Sequence, residues 1–338
     1  MMLLLVTVRE YRCPDSSGPG GAMANLPTQE DVLEYFTSLS NWGRWGDEDE
    51  LGTINHITPQ TRLRAAGLAS EGVTVTCSRT LSNATGPDVT AQPLHYMVES
   101  GEGYAHDEKV GPPRASQTAT DFFGVQFHGH TVTHIDSLSH FFFNGQMYNG
   151  RPSSLVSTRY GATKESVEVI QGGILARGVL LDIPRLRGVD WLEPGDGVLR
   201  EDLEAAEAAQ GVHVEPGDVL LVRTGQLRRR AELGAWNITT EGGTGTHADC
   251  LPFYQERSIA VLGSDTGNSL VHPGFDKLAN PTHQVGIVAM GLWILDNADL
   301  EGLAEACAQR GRWKFMITIN PLRIEGATGS PVNPIAVF

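Results

Sequence analysis

Cysteine is scarce in this chain. Cys13, Cys77, Cys250 and Cys307 are spread over 338 residues with no C-x-x-C pair. That spacing argues against a disulfide framework and a structural zinc cluster, and reads as isolated thiols in a reducing compartment. Positive charge is also short: 25 Lys and Arg face 40 Asp and Glu, a formal net charge of −15. A surface of that sign repels nucleic acid and anionic membranes, so neither is expected as a partner. No block of five or six like charges marks a tail. No apolar run approaches the length of a membrane span. The opening Met1–Val6 lacks a basic flank and a cleavage site, so it does not read as a signal peptide, and a cytoplasmic protein is expected. A G-x-S-x-G elbow is missing, which removes the usual support for a serine hydrolase. The glycine-rich run 242–246 has no lysine and no strand-to-helix context, so it makes a poor phosphate loop.

What is present is ordinary globular composition, 40% hydrophobic and 19% charged, in a chain long enough for a large core. Residues 1–25 contain a Gly-, Pro- and Ser-rich stretch and read as a flexible leader, with Met23 a candidate start. Residues 26–338 show no internal repeat and no linker, and are expected to form one domain. Thr28 is placed to cap a helix, and Thr58-Pro59 to begin another. Strand-like runs begin at Gly72, Gly124, Gly178, Asp218, Ser258 and Phe315. Helical stretches are expected over 200–210, 251–257 and 299–309. Residues 83–118 read as a long loop. The alternation implies a mixed α/β domain with a substantial sheet.

The chemistry concentrates between His128 and His140. Four of the chain's eleven histidines, His128, His130, His134 and His140, fall there with Asp136. Imidazole and carboxylate are the usual ligands of open zinc, manganese or iron sites. On a helix, Asp136 would lie about 240° round the axis from His130 and point away. In an extended chain, even-numbered positions share a face, so His130, His134 and Asp136 can surround one ion. Gly129 and the Thr/Val content also disfavour a helix. His128 is assigned an orienting or pocket role.

The stretch His130-Thr-Val-Thr-His-Ile-Asp-Ser-Leu-Ser-His140 resembles the H-x-G-T-H-x-D-x-x-x-H motif of the cyclase family that includes bacterial kynurenine formamidase and isatin hydrolase. Val132 stands where the motif has glycine. Segments at Asn41–Gly46, Leu51–Asn55, Met147–Gly150, Gly263–Thr266, Asp296–Leu300 and Gly326–Pro334 resemble the family's longer branch, so the likeness spans about residues 30 to 338. It implies a swivelling β/β/α-type fold, a mixed central sheet with helices packed around it. It implies that His130, His134 and Asp136 bind the catalytic metal and that His140 transfers protons. It matches His283 and Asp296 to a second metal or pocket position. Because Asp296 is one methylene shorter than the family's glutamate, one Zn or Mn ion per chain is expected. A homodimer or larger homo-oligomer is also implied.

These readings converge on a metal-dependent hydrolase. Its expected substrate is a small cyclic or aromatic amide, imide or lactone, attacked by metal-activated water. Trp42 and Trp45, on a glycine-rich loop, are candidate pocket walls. The alternatives are a metal-dependent cyclase or dehydratase, whose product would not gain the mass of water, and a non-catalytic metal-binding homologue.

Overall fold

The computed structural model describes residues 26–89, 91–105 and 116–338. The leader lies outside these residues, as does part of the 83–118 segment. A nine-stranded mixed sheet organises the chain. In chain order its strands are β1 Thr74–Thr76, β2 His134–Asp136, β3 Ile174–Asp182, β4 Val219–Arg223, β5 Val261–Ser264, β6 Trp293–Asp296, β7 Lys314–Ile319, β8 Gly329–Pro331 and β9 Ile335–Val337. Their spatial order is β1-β9-β7-β3-β4-β5-β6-β2-β8. Strands β3 to β6 run parallel, and every other pairing is antiparallel.

The parallel block follows from composition. Val219–Arg223 is buried at every position, as a strand covered on both faces requires. Parallel neighbours need crossovers, and helices supply them: Arg200–Gln210 between β3 and β4, Leu251–Arg257 between β4 and β5, and Pro281–Val288 between β5 and β6. The core they enclose includes Trp293, Phe315, Leu180, Leu221 and Phe253, all fully buried.

The capped helices form where the sequence places them. Thr28 and Asp31 make a capping box at the start of Gln29–Ser38. Thr58 does the same with Thr61 at Pro59–Ala66. Two expectations need correction. The segment read as loop contains a strand, Leu94–Glu99, which pairs antiparallel with Thr120–Gly124 beyond it. The strand expected to begin at Gly124 instead ends there, so residues 125–127 lead irregularly into the site. Among the described residues, no helix is long and apolar enough to cross a membrane. The three described cysteines are free and buried.

Candidate metal centre

Strand β2 is three residues long, yet it sets the site. Alternation sends Ile135 into the core and turns His134 and Asp136 to the opposite face, all three essentially inaccessible. On one side β6 pairs with β2 so that Asp296 stands directly across from His134. On the other, Gly329 of β8 stands across from Asp136. A Cβ at 329 would lie 2.9 Å from the His128 ring, so glycine there leaves room for that imidazole.

His134 Nδ1 lies 2.8 Å from the Val132 carbonyl. A hydrogen bond there places the proton on Nδ1 and leaves Nε2 as a lone-pair donor. Nε2 is 3.4 Å from Asp136 Oδ1 and 3.8 Å from Asp296 Oδ2. The helix Pro281–Val288 brings His283, whose Nε2 is 3.1 Å from Asp296 Oδ2 and 3.6 Å from Asp136 Oδ2. His128 Nδ1 is 3.0 Å from Asp136 Oδ1, and His140 Nε2 is 3.8 Å from Asp136 Oδ2. The His128 and His140 rings stack at 3.7 Å and 8°.

Asp136 is thus ringed by four imidazoles; His128 Nδ1, at 3.0 Å, is the nearest, and among the described residues no donor is well aligned on either buried oxygen. Buried carboxylates are almost always satisfied, so one whose lone pairs stay open among four imidazoles suits a bound cation. Its oxygens meet two sets of candidate ligands: His134 with Asp296, and His128 with His140. This donor set fits a divalent cation of borderline hardness, such as zinc, manganese or ferrous iron.

The electrostatics are strongly perturbed. Burial would raise the Asp136 carboxyl, but His140 and His134 hold it well below the usual range. Burial would lower His134, but Asp136 above all lifts it to about 9. His283 is raised too, Asp296 outweighing burial. Burial pushes His140 down to about 4, against the pull of Asp136.

His130 is placed differently from the expectation of one extended face. It sits on a turn with Gly129, whose φ is +123°. That turn precedes β2, so parity along an extended chain holds for His134 and Asp136 and not for His130. Its ring lines the site across Gly267: a Cβ there would be 3.5 Å from His130 Nδ1 and 3.9 Å from Asp296 Oδ2. Among the described residues no carboxylate comes within 4.0 Å of a His130 ring nitrogen.

Trp42 and Trp45 make other contacts. Trp42 Nε1 donates to the Val288 carbonyl at 2.7 Å, at the far end of the helix from His283. Trp45 meets the His56 ring edge-on and stacks under Arg44. The aromatic rings beside the cluster are instead Phe127, 4.5 Å from His128, and Phe141, 5.0 Å from His283.

The orienting residues were not found from the sequence. Asn268 Nδ2 donates to Asp296 Oδ1 at 2.6 Å, and Ser269 Oγ is 3.2 Å from His283 Nδ1. Asn297, left-handed at φ +56°, donates to the Gly129 and Val132 carbonyls at 2.6 and 3.2 Å. The available signal was polar residues just after an apolar strand, where α/β sheets place ligands. Removing the Asn268 amide (Asn268→Ala) is expected to weaken metal affinity of the folded protein about 10- to 100-fold, measured by competition with a chelator.

Comparison with known proteins agrees with this architecture. The family model described as "putative cyclase" matches residues 53–269. A crystal structure described as a novel cyclase aligns at 34% identity and TM-score 0.81, covering 93% of this chain and all of its own. The chain belongs to this cyclase family. Isatin hydrolase A from Labrenzia aggregata, bound to benzyl benzoate, shares the fold at 18% identity and TM-score 0.56, over 82% of this chain and 98% of its own. Another isatin hydrolase, bound to the product analogue thioisatinate, aligns at 20% and 0.55, over 83% of this chain and 98% of its own. No curated protein sequence matches.

Proposed function

We propose that the protein is a metal-dependent hydrolase cleaving an amide, imide or lactone bond of a small cyclic or aromatic substrate. The observation that carries this reading is Asp136: a fully buried carboxylate with no well-aligned hydrogen-bond donor among the described residues, facing several imidazoles and a second carboxylate. His134, Asp136 and Asp296 would hold one divalent ion, with His130 reaching it from its turn and His283 steadying Asp296. When bound, such an ion lowers the pKa of water towards neutrality and polarises a carbonyl oxygen.

The chain's own residues supply the rest. Burial keeps His140 uncharged near neutral pH, so its Nε2 can take a proton beside Asp136 and pass it to the departing nitrogen or oxygen. The stacked His128 ring fixes the plane of His140 and is itself anchored to Thr328 Oγ1 at 3.0 Å. Phe127 and Phe141 offer flat walls to a ring.

Elemental analysis of the purified protein, with a screen of N-formyl arylamines, cyclic imides and lactones, tests the reading. A product heavier by one water supports hydrolysis; a metal-free protein that takes up no ion removes the proposal. His140→Ala is expected to lower kcat about 10²- to 10⁴-fold while metal content stays unchanged. The homo-oligomer implied by the family resemblance belongs to the same proposal, and the molar mass in solution tests it.

A further inference from the structure

Arg79 follows β1 and is half-buried beside the turn that carries His130. Its backbone N–H donates to Thr133 Oγ1 at 2.9 Å, and its Nη1 donates to the His130 carbonyl at 2.7 Å. The first anchors the backbone, and the second engages the guanidinium through Nη1 alone. Nε and Nη2 have no hydrogen-bond partner among the described residues, and neither atom is sealed from solvent.

The other arginines of similar burial behave differently. Arg151, Arg177, Arg223 and Arg257 each grip a carboxylate at 2.7 to 2.8 Å. Arg230 is engaged by Asp88. No carboxylate among the described residues comes within 4.0 Å of Arg79. Asp88 and Asp299 act on it only from beyond that distance, with Arg230 opposing them, and in a chain with a net charge of −15 a half-buried guanidinium with no carboxylate in contact is out of pattern. The Nε/Nη2 edge is a fork matched to the two oxygens of a carboxylate, and such bidentate pairs are among the stronger charge-assisted hydrogen bonds.

We propose that this edge of Arg79 receives a carboxylate carried by the substrate, so that the site takes anionic amides, imides or lactones in preference to neutral ones. The position suits that task. The guanidinium lies one carbonyl behind His130, whose ring faces Asp296 across Gly267. The Arg79 charge reaches the His130 ring, so a ligand held there by its carboxylate lies on the His130 side of the cluster. The inference rests on the hydrolase reading for the identity of the site, but its test does not require turnover.

The test compares benzoate with its neutral analogue benzamide by calorimetry, on the full-length protein, stripped of metal and loaded with zinc. Benzoate is expected to bind the metal-free protein at least about tenfold more tightly than benzamide. Arg79→Gln, which keeps a donor for the His130 carbonyl and removes the charge, is expected to abolish that preference and leave zinc content unchanged. Arg79→Lys keeps the charge but not the fork, and is expected to retain a preference several-fold smaller; it also decides the matter if the glutamine variant does not fold. Equal benzoate affinity in wild type and both variants overturns the proposal and leaves Arg79 as a brace for the His130 turn. A protein that takes up no zinc but still shows Arg79-dependent benzoate binding overturns the hydrolase reading alone.

Discussion

Asp136→Asn is expected to strip the protein of its metal and lower kcat/KM on the order of a thousandfold or more. Both Asp136 oxygens face imidazoles, the nearest at 3.0 Å, and among the described residues neither has a well-aligned donor. Asparagine keeps the shape but replaces one oxygen with an N–H donor and removes the charge. Loss of a residue that merely orients a ligand costs about 10- to 100-fold, so loss of the central carboxylate should cost more. Metal content and kcat/KM on the same preparation decide it. A variant that keeps a full complement of metal would show that Asp136 is an ordinary buried acid.

The second large effect is in pH. In the metal-free protein His134 is raised from 6.5 to about 9, chiefly by Asp136 against the cost of burial. Its folded-state pKa therefore exceeds its unfolded one. The stability it contributes is fully present below about pH 6.5 and is lost as pH rises to about 9, an effect on the order of 3 kcal/mol. Metal binding runs the other way, because a ligating imidazole must give up its proton on Nε2. Affinity for zinc should then rise between pH 7 and 9, with release of close to one proton per ion near pH 7.5. Calorimetry in buffers of different ionisation enthalpy measures that number, and denaturation of metal-free protein across the range measures the stability. Zero proton release together with flat metal-free stability would contradict the His134–Asp136 coupling.

Much of this site was legible in the sequence because its signals are local. Alternation along β2 places His134 and Asp136 together whatever the rest of the chain does. Thr28 and Thr58 mark helix starts through bonds made within three residues. His130 was harder, since a single glycine with positive φ breaks the extended face just before the strand. His283 came only through the family resemblance, although Pro281 in the first turn of its helix was the available local clue. The shorter side chain of Asp296 argued against a second metal. Strand pairing sets it opposite His134 and makes up the reach. Arg79, Asn268 and Asn297 act through partners distant in sequence, so nothing in their neighbourhoods announces them.

The join between β2 and β6 also fixes when the centre can come into being. Thr133 and Asn297, bonded at its edge, are 164 positions apart. A ribosome must therefore deliver the parallel block and β6 before His134 and Asp136 can meet Asp296. Closing so long a loop is slow, and it is repaid only once the surrounding strands exist to reward it. An ion held jointly by His134, Asp136 and Asp296 is therefore captured only by a chain that has nearly finished folding.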